Sequence, residues 1–154
     1  MRTLPLAFLF WFFPAFAADF EALVIDEDGQ PMPARVYLQD RDGRWFFPKS
    51  VSPQGSAIEY RKSRGDKSLE MHTTVSAHPF GADLPDGEYT LTIERGKEYR
   101  PKVIRFAAKG KAVRLKVKPE RWVNMASRGW YSGDTHVHRT LKDLPNVMLA
   151  EDLN

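Results

Sequence analysis

Leu84-Pro85-Asp86-Gly87-Glu88-Tyr89-Thr90-Leu91-Thr92-Ile93 is the run on which the reading of the fold turns. From Glu88 onward every second residue is apolar (Tyr89, Leu91, Ile93), the period of a strand with one face in a core. The four residues before it spell a turn. Proline presets φ, glycine takes a conformation closed to bulky residues, and the tyrosine starts the strand packed on the core. Ala112-Val113-Arg114-Leu115-Lys116-Val117 alternates in the same way.

Shorter runs of similar character lie upstream. Phe20-Glu21-Ala22-Leu23-Val24-Ile25 closes on the turn cluster Asp26 to Pro31, and Ala34-Arg35-Val36-Tyr37-Leu38 closes on Asp40-Arg41-Asp42-Gly43. Arg44-Trp45-Phe46-Phe47 stops at Pro48, and Leu69 to Val75 is strand-like again. The polar region from Lys49 to Lys67 reads as a long loop. Short strands separated by Gly, Pro and Asp turns argue for a mostly β domain, a sandwich, over residues 18–118.

The ends of the chain differ from this middle. Met1-Arg2, the apolar run Leu4 to Phe13 and the Ala15-Phe16-Ala17 step form a signal peptide, residues 1–17, with cleavage after Ala17. The apolar run is shorter than the ~20 residues a membrane span needs, so export, periplasmic or secreted, is expected, with no span left after cleavage. The 154 residues contain no cysteine, which excludes a disulfide framework, thiolate ligands and a cysteine nucleophile. A transition metal would then rest on His, Asp and Glu, which points to zinc, manganese or iron. The net charge of +3, less Arg2 of the leader, implies no particular partner.

Several features invite sharper readings that their surroundings do not support. The basic residues from Lys97 to Arg121 crowd the later strands without the interleaved aromatics that stack bases, so they read as a solvated face and no nucleic-acid partner is expected. His72 and His78 flank a strand end without carboxylates beside them. Trp45-Phe46-Phe47 reads as packing rather than a sugar platform. Arg64-Gly65-Asp66 is too short to carry an attachment function by itself.

Residues 119–132 form a linker that is aromatic for its kind, with Trp122, Trp130 and Tyr131 expected to dock the sandwich onto the C-terminal segment. Gly133-Asp134-Thr135-His136-Val137-His138-Arg139 then reads as a strand. Alternation puts Asp134, His136 and His138 on one face, with histidine Cα atoms roughly 6.5–7 Å apart, close enough for both imidazoles to converge on one cation. Leu141 to Asn154 is a helix with Pro145 near its start. Strand then helix is the opening unit of an α/β barrel, where sites lie at the C-terminal ends of strands.

Four segments together carry a resemblance. Leu84-Pro85-Asp86-Gly87-Glu88-Tyr89 and Gly29-Gln30-Pro31 resemble the turn and opening hairpin of transthyretin-like and carboxypeptidase-regulatory-like β-sandwiches. With Arg95-Gly96-Lys97-Glu98-Tyr99 and Gly129-Trp130 through His138, the chain resembles the N-terminal part of a secreted PHP-type (polymerase and histidinol phosphatase) metallohydrolase of the carbaryl-hydrolase-like branch. The resemblance implies that residues 133–154 begin a truncated PHP barrel and that His136 and His138 are the first pair of ligands to a divalent metal. It gives Asp134 the part of orienting a histidine. Arg139 departs from the small hydroxyl residue usual there. Glu151 and Asp152 match no ligand position. The parent would be an exported hydrolase of a small-molecule ester, amide, carbamate or phosphoester using metal-activated water, and a chain ending before the remaining ligands would be inactive. The competing expectation is a non-catalytic exported β-sandwich binding module with a chance His-x-His.

Overall fold

The computed structural model describes residues 17–65 and 68–154. The expected leader lies outside the described residues except for its last position, as does Asp66 of the Arg64-Gly65-Asp66 tripeptide. The described elements are β1 (Ala17–Val24), β2 (Ala34–Asp40), β3 (Trp45–Phe46), β4 (Lys49–Ser50), β5 (Ala57–Ser63), β6 (Leu69–Val75), β7 (Phe80–Pro85), β8 (Gly87–Glu94), β9 (Lys102–Ala108) and β10 (Val113–Val117). A 3-10 turn (Ala126–Arg128) and one helix, α1 (Leu144–Ala150), complete the order.

The strands divide between two sheets. One has the order β10-β1-β7-β4, with β1 and β10 parallel; the other has the order β5-β6-β2-β8-β9, with β3 paired to the end of β2. Alternation decides what each sheet turns inward. Phe20, Ala22 and Val24 of β1, Phe80 and Leu84 of β7, Val36 and Leu38 of β2, and Leu91 and Ile93 of β8 meet in one buried cluster. Each large side chain fully buried there is worth roughly 1.5–3 kcal/mol, which is how a chain without cysteine keeps its sheets together. The fold is mostly β with two facing sheets, as the alternating runs indicate.

The turn between Leu84 and Tyr89 has a different part from the one expected. Leu84 and Pro85 end β7 in one sheet and Gly87 begins β8 in the other, so Asp86 is the crossing point between layers. Gly87 does not have a positive φ, and a Cβ there would meet only the Tyr89 ring at ordinary van der Waals distance, 3.7 Å. Tyr89 does what the pattern asks: it is buried, and its hydroxyl donates to the carbonyl of Pro85 at 2.7 Å, tying the strand start to the crossing. Gly29 does have φ +80°, but β1 and β2 fall in different sheets, so the expected opening hairpin is another crossing, with only the Ile25–Pro31 bridge across its neck.

Two corrections concern strands. The expected loop from Lys49 to Lys67 contains β4 and β5, and β5 pairs with β6 along its whole length, Ala57 with Val75 through Ser63 with Leu69. It lies at the sheet edge, where exposed Glu59, Arg61 and Lys62 hide the alternation and also protect the edge from further pairing. β9, the opposite edge, is masked in the same way by Lys102 and Arg105. Trp45-Phe46-Phe47 is occupied by packing: Phe46 meets Tyr89 edge-on at 5.4 Å, and Arg61 lies 3.9 Å over Phe47.

The C-terminal helix is a third layer. It is shorter than the expected Leu141 to Asn154, and its closest strands are β6 and β2. It therefore covers the outer face of the larger sheet. No helix among the described residues is long and apolar enough to cross a membrane.

Candidate metal centre

Asp134, His136 and His138 lie in an unpaired segment with bends at Thr135 and Arg139, so the strand expected at 133–139 is not formed. The reason is elementary. A strand is held by ladder bonds to a neighbour, and none of the described strands pairs with this segment. Both histidines are solvent-exposed, yet their rings converge, with centroids 4.6 Å apart and Nε2 to Nε2 at 2.7 Å, so that one ring donates to the other. Two nitrogens sharing a tetrahedral zinc through roughly 2.0–2.1 Å bonds would stand about 3.3 Å apart. Opening the pair by about half an ångström meets that requirement, and imidazole pairs suit zinc, iron and related cations. The donor set therefore fits as part of a coordination shell. Among the described residues no cluster of three or more His, Asp or Glu side chains completes one.

Asp134 acts on the loop rather than on a ring. Its Oδ1 accepts the backbone N–H of His136 at 2.9 Å, a local turn that sets where the histidines leave the chain. The pair opens onto a cleft of about 460 Å³ between the β8–β9 connection and α1, whose charged walls are Lys97, Asp134, Arg139 and Glu151. Arg139 is turned aside onto the sandwich, its guanidinium 4.4 Å over the ring of Tyr60 in β5.

Beneath Arg139 is an aromatic stack with no signal in the sequence. Tyr60 stacks on His72 at 5.1 Å, and His72 lies 5.5 Å from Tyr37. The buried His72 imidazole is held at about 4, well below the ordinary histidine value; burial is the largest cause, with the Arg35 and Arg139 charges adding to it. Burial likewise pushes the Tyr37 phenol up to about 12, and its hydroxyl donates to Glu94 at 3.1 Å. His78 is elsewhere, its Nδ1 3.1 Å from the Ser76 hydroxyl, so the two histidines of the strand region do not come together.

The Arg95-Gly96-Lys97-Glu98-Tyr99 segment is the cradle for the end of α1. Arg95 donates to the carbonyls of Pro33 (2.7 Å) and Leu149 (2.6 Å) and pairs with Asp152 at 2.7 Å. A cation on the last free carbonyls of a helix satisfies acceptors that have no partner within it. Gly96 has φ +47°, and a Cβ there would collide with the Glu151 carbonyl oxygen. The Lys97 carbonyl accepts the Trp122 indole N–H at 2.9 Å, and Glu98 accepts the Met125 N–H at 3.2 Å. Tyr99 sits between the guanidiniums of Arg95 and Arg121, and Arg121 also pairs with Asp152 at 2.9 Å. Glu151 pairs with Arg35 of β2 at 2.9 Å. The acids set aside as ligands are thus docking residues. Of the linker rings expected to dock, Trp122 takes part through that indole bond although 55% exposed, while Trp130 and Tyr131 are 69% and 72% exposed. Ion pairs together with that bond fasten the C-terminal segment to the sandwich.

Compared with known proteins, the chain matches no family model and no curated protein.

Proposed function

We propose that this chain is the N-terminal part of an exported metal-dependent hydrolase, with His136 and His138 as two ligands of its metal. The observation that carries the proposal is the convergence of the two exposed imidazoles, Nε2 to Nε2 at 2.7 Å, at the mouth of an open cleft. A catalytic zinc site commonly uses three protein ligands and leaves one position open, so the pair is half of a site whose other ligands come from the remainder of the enzyme. The motifs favour a PHP-type barrel on a carboxypeptidase-regulatory-like sandwich, and the leader pattern favours export. A divalent zinc, manganese or iron bound there would supply Lewis acidity for hydrolysis of an ester, amide, carbamate or phosphoester. This chain's residues hold the ligands. Asp134 fixes the loop backbone, the Arg139–Tyr60 stack fixes its far end, and the sandwich anchors both.

The test begins with the reading frame downstream of codon 154. Continuation into an Asp-His soon after an apolar strand is expected. The product of that whole frame should hydrolyse at least one member of a panel of aryl esters, carbamates and phosphoesters, lose the activity to a chelator and regain it with added metal. Chelator-insensitive turnover would overturn the metal dependence, and a stop codon at 155 with no metal uptake would leave a non-catalytic binding module.

A further inference from the structure

We infer that Asp152 positions the histidine pair, carrying the rigidity of the sandwich into the ligand loop. The inference rests on the metal reading for its consequence, though not for its geometry. Asp152 is the residue on which the C-terminal contacts converge. Its carboxylate accepts from Arg95 at 2.7 Å and from Arg121 at 2.9 Å, and its side chain is only 14% exposed. Its backbone holds φ +56°, the one positive φ outside glycine among the described residues. That conformation closes α1: the Asp152 N–H donates to the Leu149 carbonyl at 3.2 Å and the Leu153 N–H to the Met148 carbonyl at 3.1 Å, the bonds of a left-handed helix cap, and Asp is among the L-residues that adopt it most readily.

Beyond this cap the Asp152 carbonyl faces the loop. That carbonyl accepts the Ser132 hydroxyl at 3.0 Å, and the next residue but one closes the contact from the other side: the Asn154 N–H donates to the Ser132 carbonyl at 3.1 Å and its side-chain amide to Ser132 Oγ at 3.1 Å. Ser132 stands two residues ahead of Asp134, whose carboxylate takes the His136 N–H. Polar contacts therefore run from Arg95, just after β8, and Arg121 of the linker to Asp152 and on to Ser132, and two residues of backbone carry them to Asp134 and its contact with His136. At the other end Arg139 rests on Tyr60. The exposed histidines have almost no packing of their own, so their mutual geometry is inherited from these two anchors, and of the two only the Asp152 anchor is a set of directional bonds. An unanchored exposed loop would sample many geometries and lose affinity to ordering entropy.

The experiment reads the pair without metal. In metal-free 154-residue chain, the ring Hε1 protons of His136 and His138 should show a strong nuclear Overhauser cross-peak. Asp152→Asn, which keeps a residue that tolerates the left-handed region, should lose it. Ser132→Ala, on the exposed loop, should lose most of it with an unchanged thermal midpoint, so a folding defect cannot account for the result. Glu120→Gln, at an exposed pair with Arg100, should keep it. Full cross-peaks in both Asp152→Asn and Ser132→Ala, recorded well below their midpoints, would overturn the inference, as would a wild-type chain with no cross-peak. If the cross-peak behaves as expected but neither histidine affects metal uptake, the metal reading fails and the positioning stands.

Discussion

Gly96 and Gly87 show how differently two glycines in one strand region can matter. Gly96 adopts φ +47° and lies against the backbone of Glu151, where a methyl group has no flexible neighbour to displace. Gly96→Ala should cost about 1–3 kcal/mol in chemical denaturation, whereas Gly87→Ala, free of a positive φ, should stay within about 0.5 kcal/mol. His72 supplies a prediction at the same scale. Its folded pKa of about 4 lies below the ordinary 6.5, so the unfolded chain binds more protons between those values. The stability His72 contributes is fully present above pH 6.5 and is lost as pH falls towards 4; His72→Phe, keeping a ring between Tyr37 and Tyr60, should flatten that slope in pH-dependent melts. An unchanged slope in the variant would place the titrating group elsewhere.

At the scale of elements, the strands on both sides of the core were legible because one face of each is buried and alternation survives. β5 and β9 were not, because edge strands meet solvent on more sides and carry charge where a central strand carries apolar residues. The ligand segment erred in the opposite direction: Asp134 to His138 has the alternation of a strand but no partner strand, and alternation cannot supply hydrogen bonds. The two rings do converge, but in a segment bent by the Asp134–His136 contact and not through the strand alternation that the spacing suggests. The docking cluster was not legible, since Arg35, Arg95, Arg121, Glu98 and Asp152 are far apart in sequence and ordinary surface residues in composition. The crossing between sheets at Asp86 gives this scale its test. Tyr89→Phe removes the bond to the Pro85 carbonyl while keeping the ring, and should lower unfolding free energy by about 1 kcal/mol. No loss would mean the crossing is held by packing alone.

For the whole molecule, the order of layers bears on function. Two sheets make a rigid body, α1 is fastened to its outer face by ion pairs, and the histidine loop hangs between the two, open to solvent. Exposed Trp122, Trp130, Tyr131, Leu141 and Leu149 lie in the same C-terminal segment as that loop. Under the proposed function such a body presents His136 and His138 as two ligands of a shell completed by other residues. The decisive measurement is the zinc, manganese and iron content of the full-length product, purified without chelator, beside His136→Ala and His138→Ala. Bound metal near stoichiometry in the wild type and a marked fall in each variant is the predicted result. Equal metal content in all three proteins would contradict the account, because the cation would then be held by other residues.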